Sequence, residues 1–187
     1  MNRLRIIAGQ FRGRKLQSLP GNDVRPTADK VKGALFNMIG PYFEGGKGLD
    51  LFAGTGSLGI EALSRGMEQV VFVDRHRLAI RLIQSNLRTL GLERQAEVYH
   101  LDAQSALRRF VQEGRQFDVV FLDPPYHLEA APLVWLQEAG EEQLLAPEAV
   151  VVLEHDARVA VPEEVGTLKQ VKQRRYGHTM LTIYRRT

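Results

Sequence analysis

"GLDLFAGTGSLGIEALSRG", residues 48–66, sets a short apolar run against a glycine turn and then a helix-spaced segment. The run ends at Gly54, and Gly54, Gly56 and Gly59 together have the form GxGxxG. Glycines at this spacing allow a tight turn and a close approach of backbone to a ligand. Apolar residues at helical intervals then continue to Gly66. Next comes "QVVFVD" (69–74), a β-branched run that ends in an acid. Strand, glycine turn, helix and strand in this order predict a βαβ unit.

The alternation continues outward. "RLAIRLIQSNLRTLG" (77–91) has the pattern of an amphipathic helix closed by Gly91. Strands are expected at "AEVYHLD" (96–102), "FDVVFLD" (117–123) and "EAVVVLEH" (148–155), with helices through Phe110 and around Leu133 to Ala139. "LKQVKQRRYG" and "HTMLTIYRR" read as two strands with no helix between them, so an antiparallel hairpin should close the sheet. At the other end, residues 4–16 have the pattern of a basic hairpin turning near Gly9 to Gly13. Residues 27–39 predict a helix capped by Thr27. The expected fold is α/β: a doubly wound, mostly parallel, seven-stranded sheet with a C-terminal antiparallel hairpin and a small N-terminal basic hairpin-helix extension. The extension is assigned to residues 1–44 and the main domain to 45–187, with Gly45-Gly46 as the joint.

Ligands of open α/β sheets sit beyond the carboxyl ends of the strands. Carboxylates stand at or near four such ends, at Asp50, Asp74, Asp102 and Asp123. Asp74 follows Gly54 by twenty residues, the spacing at which an acid accepts two ribose hydroxyls. To this point a nicotinamide cofactor fits as well as any other adenosine ligand. "HLDA" adds an acid able to accept from an adenine amino group, with the Ala103 N–H available to a ring nitrogen. Asp102 also has the position of a helix N-cap, and the two roles are compatible. This set suits S-adenosylmethionine, with Asp50 placed for the methionine ammonium. Phe52 and Thr55 in the loop and Arg75 after the ribose acid complete the cofactor candidates.

"FLDPPY" (121–126) carries the chemistry. A nucleobase amine is a weak nucleophile, because its lone pair is delocalised into the ring. It must be desolvated, pyramidalised and held in line with the methyl group. Asp123 and the carbonyl of Pro124 can accept both amine hydrogens. Pro124 and Pro125 remove N–H donors from the loop, and Tyr126 offers a flat face for an extruded base. An Asp-Pro-Pro turn alone would be an ordinary strand exit. Behind a glycine loop and ordered acids it is a catalytic candidate.

Composition sets the partner class. Forty-four per cent hydrophobic and 25% charged residues describe an ordinary globular protein, with no apolar run long enough for a membrane span or signal peptide. The absence of cysteine excludes disulfides and thiolate metal sites and agrees with a cytoplasmic location; the five scattered histidines argue against any metal. The net charge of +3 is uneven: residues 1–32 and 167–187 each carry +6, and the middle carries −9. Basic ends around an acidic middle point to a polyanion partner. His178 is expected as a surface turn residue, and Trp135 as helix core.

On these motifs the chain resembles class I methyltransferases acting on amino groups. "RIIAGQFRGRKL", "RPTADKVKGALFN" and "YGHTMLTIY" narrow the resemblance to the bacterial 16S ribosomal RNA guanine-N2 methyltransferase family. The resemblance covers nearly the whole chain. It implies S-adenosylmethionine as donor and 16S rRNA as partner, as naked RNA or within an assembling small subunit, with no need for more than a monomer. Asp123 to Tyr126 match the catalytic motif, Gly54 and Gly56 the methionine-side loop, and Asp74 the ribose acid. Arg12, Arg14, Lys15 and the Arg25-Pro26-Thr27 loop match RNA-facing segments. Gly33 departs from the family's usual Glu, and His76 from an Asp two residues after the ribose acid. The rival readings are a DNA adenine-N6 or glutamine-amide methyltransferase, a nicotinamide oxidoreductase, and an RNA-binding module with a vestigial cofactor fold.

Overall fold

A computed structural model describes residues 4–19, 26–125 and 127–187; Arg25 and Tyr126 lie outside the described residues. The βαβ unit forms as its sequence dictates. β1 (Lys47–Asp50), α2 (Ser57–Ser64) and β2 (Gln69–Asp74) follow α1 (Pro26–Ile39). α3 (Arg77–Leu90), β3 (Ala96–His100), α4 (Ala103–Gln112) and β4 (Phe117–Leu122) continue the alternation. α5 (Ala131–Leu144), β5 (Leu145–Asp156), β6 (Glu164–Val165), β7 (Leu168–Tyr176) and β8 (Thr179–Arg186) complete the chain.

The sheet order is β3-β2-β1-β4-β5-β8-β7-β6. β1 to β5 pair in parallel, and β8 joins β5 antiparallel and is followed by β7. The sheet has eight strands, not the expected seven. The extra one, β6, pairs only two residues with the start of β7, too short to leave a periodic signal. Strand order reverses between β1 and β4, which puts the ligand crevice at the ends carrying Asp50 and Asp123.

Side chains alternate between two cores. Val119 and Phe121 face the cluster that α1, α2 and α3 cover. Val120 and Leu122 face the cluster under α4 and α5, against which Trp135 packs as expected. Leu4, Ile6 and Leu16 of the N-terminal segment join the first cluster, together with Val31, Leu35 and Phe36 of α1. The segment is a loose hairpin with one bridge, Arg5 to Lys15, supported by Gly13 N–H donating to Ile6 O at 2.8 Å.

Two N-terminal expectations change. α1 starts at Pro26, so Thr27 lies inside the first turn rather than capping it, as suits a proline at a helix start. Lys32, counted with the basic residues available to a polyanion, is 5% exposed. Its ammonium lies 3.4 Å from Glu61, which also accepts from Arg65 Nε at 2.9 Å and from the backbone N–H groups of Ile7 and Ala8. Burial is the main cause holding the Lys32 pKa below its ordinary value. Among the described residues no helix is long and apolar enough to cross a membrane.

Candidate active site

The glycine turn is built from beneath. Gly56 has φ +83 and stands at the N-cap of α2. A Cβ at Gly59 would lie 2.3 Å from Phe72 Cε1, so only glycine lets α2 settle this closely on β2. Asp50 is 2% exposed and accepts from Gly59 N–H at 3.0 Å. Burial, reinforced by the charge of Asp74, pushes its pKa up to about 7 against that hydrogen bond. Thr55 Oγ1 accepts from Ser57 N–H, and Thr55 O accepts from Asn86 Nδ2 at 3.1 Å. Phe52 packs against the α4–α5 core.

Asp74 closes the loop from β2. Its Oδ2 accepts from Gly54 N–H at 2.9 Å and its Oδ1 from His76 N–H at 2.8 Å. Oδ1 also lies 3.1 Å from His76 Nδ1, whereas Oδ2, with a single N–H, keeps acceptor capacity for a ribose hydroxyl. His76, which departs from the family pattern, thus contacts Asp74 through both its backbone N–H and its ring. The Arg75 carbonyl lies 2.9 Å from His100 Nε2. Asp102 is the N-cap of α4, accepting from Ser105 N–H at 2.9 Å and Ser105 Oγ at 2.8 Å. The Ser105 N–H, then its hydroxyl, hold the Asp102 pKa below its ordinary value. Ala103 is buried at the start of that helix.

S-adenosylmethionine fits these residues. A Cβ built at Gly54 would meet no atom within 4 Å, so the turn borders open space. Asp74, which holds Gly54, has the chemistry to receive ribose hydroxyls and Asp102 that to receive an adenine amine, while Asp50 is buried against Gly59 and does not face that space.

Next to the switch point lies a cavity of about 180 Å³. Asp123, Pro124 and Pro125 line one side; Glu154, His155 and Asp156 from the end of β5 line another. Glu129 and the His178-Thr179 pair complete the wall. β4 and β5 run in register with Leu122 beside Leu153, so Asp123 and Glu154 are neighbours one step further on. Asp123 presents an open edge to the cavity, while protein surrounds the rest of its carboxyl. Burial first, then the charges of Glu154 and Asp50, raise its pKa well above the carboxylate range. Glu154 is raised by burial too, and its hydrogen bond with Asp123 opposes that shift. Both carboxyls are therefore held above the ordinary carboxylate range, with burial the first cause in each.

His155 is nearly buried, with Nε2 2.7 Å from Thr182 Oγ1 and Nδ1 3.0 Å from the Asp156 carbonyl. Burial holds its pKa below the usual histidine value. Glu129 has φ +42, a left-handed conformation uncommon outside glycine, at the cavity wall. Among the RNA candidates Arg12, Arg14 and Lys15 are exposed, and Arg14 Nη2 reaches the Thr89 carbonyl at 3.4 Å. Arg25, the Thr27 side chain and the Tyr126 ring lie outside what the structure describes.

Sequence reasoning missed Glu154; His178 is the exposed turn residue expected, and it also lines the cavity. Glu154 lies two residues before the end of β5, and extending the series of acids near strand ends by one would have found it. His178 reaches the cavity through the pairing of Asp156 with Thr179, which no local pattern announces.

Known proteins with this chain's pattern point one way. "Putative rRNA methyltransferase YlbH" of Bacillus subtilis is 48% identical over 98% of this chain and 99% of its own length. "Ribosomal RNA small subunit methyltransferase D" of Haemophilus influenzae is 41% identical over 89% of this chain and 87% of its own. Among solved structures, "Putative methyltransferase yhhF" of Escherichia coli superposes with a TM-score of 0.84 at 33% identity, covering 99% of this chain and 98% of that one. The Thermus thermophilus 16S rRNA N2 G1207 methyltransferase, solved with AdoMet and guanosine, shares the fold at a TM-score of 0.70 and 22% identity, over 90% of this chain and 45% of that one. With the class I methyltransferase fold in place and the model described as "Conserved hypothetical protein 95" matched over residues 4–185, this chain belongs to that family.

Proposed function

We propose that this chain transfers a methyl group from S-adenosylmethionine to the exocyclic N2 amine of a guanine in small-subunit ribosomal RNA. The observation that carries the reading is the placing of Asp123 and Pro124 in the wall of a cavity at the β1–β4 switch point. The small-subunit rRNA relative supplies the substrate class, and the acceptor-rich cavity supplies the amine.

The donor, when bound, presents a methyl group on a sulfonium whose carbon–sulfur electron pair leaves with the neutral thioether as the new N–C bond forms. Gly54 and Gly56 would border its methionine end, Asp74 would receive the ribose hydroxyls and Asp102 the adenine amine. Asp123 and the Pro124 carbonyl accept the two hydrogens of the acceptor amine, turning its lone pair out of the ring plane. The amine nitrogen becomes cationic as the methyl arrives, and the surplus proton then passes to the carboxylate pair. Positioning of this kind can contribute several kcal/mol, roughly 7 at the lower end of well-oriented reactions. Tyr126, three residues past Asp123, supplies the stacking face for the extruded base, a role assigned from the sequence. The N-terminal segment is the RNA-facing extension, with Arg12, Arg14 and Lys15 exposed to phosphate.

The test is to incubate the protein with labelled S-adenosylmethionine and unmodified small-subunit rRNA, then digest and resolve the nucleosides. The label is expected in N2-methylguanosine. Label in N6-methyladenosine, or none in RNA, would overturn the reading.

A further inference from the structure

We infer that Glu154 is the residue that makes the site specific for guanine, its carboxylate accepting the base's N1–H beside the Asp123 that holds the N2 amine. The inference rests on the proposed function and adds a second point of contact to it.

The placement comes from strand parity. Asp50 and Phe121 are register partners, as are Leu122 and Leu153. Phe121 and Val152 point into the core under α1 to α3, so Asp123 and Glu154, each two residues further on, leave the sheet towards the same face. The two residues stand side by side at the ends of adjacent parallel strands, which run about 4.8 Å apart, and both line one cavity. Among the described residues neither has a cationic partner in an ion pair. Every salt bridge of the described residues lies elsewhere. Asp123 feels the charges of Glu154 and Asp50, and Glu154 the hydrogen bond with Asp123, an arrangement without a cation that leaves acceptor capacity for a ligand.

The ligand must then bring donors. Of the rest of the wall, Glu129 is an acid, Asp156 is an acid paired with Arg158 at 2.8 Å, burial lowers the pKa of His155, and His178 is the remaining titratable group. Asp50 faces the pair from β1 below. Such a wall repels phosphate and suits a neutral, donor-rich edge. Guanine offers N1–H and both N2 hydrogens in a row. Adenine and cytosine place a ring acceptor next to their amine, and that lone pair would meet the Glu154 carboxylate. An unpaired acceptor–acceptor contact in a desolvated site is the strongest means of rejecting a wrong base. Both carboxyls must accept when guanine is bound, so its binding favours their ionised forms.

The experiment uses the full chain and rRNA in which the methylated guanine has first been mapped with the wild-type protein. That guanine is replaced by 2,6-diaminopurine, which keeps the 2-amine but turns N1 into an acceptor. Wild-type protein is expected to favour guanine over diaminopurine in kcat/KM by roughly 100-fold or more. Glu154→Gln keeps the side chain's size and can donate to N1. It should lower kcat/KM on guanine by roughly 10- to 100-fold and reduce the guanine preference at least tenfold. With the Glu154 charge gone, one cause of the raised Asp123 pKa is gone, so the acidic limb of kcat/KM should move to lower pH. A purely structural role for Glu154 would move neither ratio nor limb. An unchanged guanine preference in Glu154→Gln, with wild-type protein making N2-methylguanosine, overturns the inference alone. Failure of the wild-type protein to methylate guanine overturns the proposed function and the inference with it.

Discussion

Lys32 Nζ donates to Ser57 Oγ at 2.9 Å, and so joins α1 to the first residue after the glycine turn. The same ammonium donates to the Arg5 carbonyl at 2.6 Å and faces the fully buried Glu61. The N-terminal segment and the cofactor loop thus share one buried charge cluster. Removing one member leaves the others under-satisfied in low dielectric. Lys32→Ala should cost about 3 kcal/mol of stability in urea unfolding, and it should also weaken S-adenosylhomocysteine binding.

Gly59 works by the absence of a side chain. A methyl group there would run into Phe72, and the ring has no free space to move into because both residues are buried. Gly59→Ala should destabilise the protein by about 1 to 3 kcal/mol. Thermal unfolding checks this, and an unchanged Tm would show that α2 can slide on the sheet.

Asp50 gives stability a pH dependence of unusual sign for a carboxylate. Its folded pKa is raised to about 7, so between about pH 4 and pH 7 the native state binds a proton that the unfolded chain releases. The slope of stability against pH is negative where the native state binds more protons. Asp50's contribution is therefore fully present below about pH 4 and is lost as pH rises through 7, by at most roughly 4 kcal/mol. Asp50→Asn keeps an acceptor for Gly59 N–H and cannot ionise. Denaturant midpoints across that window should fall less steeply in this variant than in the parent protein.

Arg12 and Arg14 are exposed on the N-terminal hairpin, away from the buried Lys32 cluster. Replacing both with Ala should weaken rRNA binding. It should also flatten the log–log salt dependence by roughly one unit per lost phosphate contact. Fluorescence titrations between 50 and 200 mM salt, the range over which such contacts act strongly, measure both. Unchanged slopes would remove the hairpin from the RNA surface.

What the sequence disclosed depended on how local each feature is. The glycine turn, the β-branched runs and the strand-end acids follow from short-range rules, and β1 to β4 stand where those rules place them. The C-terminal hairpin was legible because no helical segment separates its strands. The two-residue β6 was not, because its pairing with β7 has no periodicity of its own. Gly140, with φ +100, interrupts α5 beyond the expected helix end at Ala139 and turns the chain towards β5. Lys32 counted among the basic residues of the N-terminal segment, since only tertiary packing brings α1 against α2 and pairs it with Glu61. Glu154 was hidden for a similar reason: its significance comes from standing beside Asp123 on the next strand.

The central claim is that Asp123 holds the acceptor amine for methyl transfer. Single-turnover transfer of labelled methyl to small-subunit rRNA by Asp123→Ala, with S-adenosylhomocysteine affinity measured by calorimetry on the same preparation, tests it most directly. The account predicts a loss of rate on the order of a thousandfold, with cofactor affinity within about threefold of the parent (under 0.7 kcal/mol). A variant that binds the cofactor normally and transfers methyl at the parental rate would contradict it.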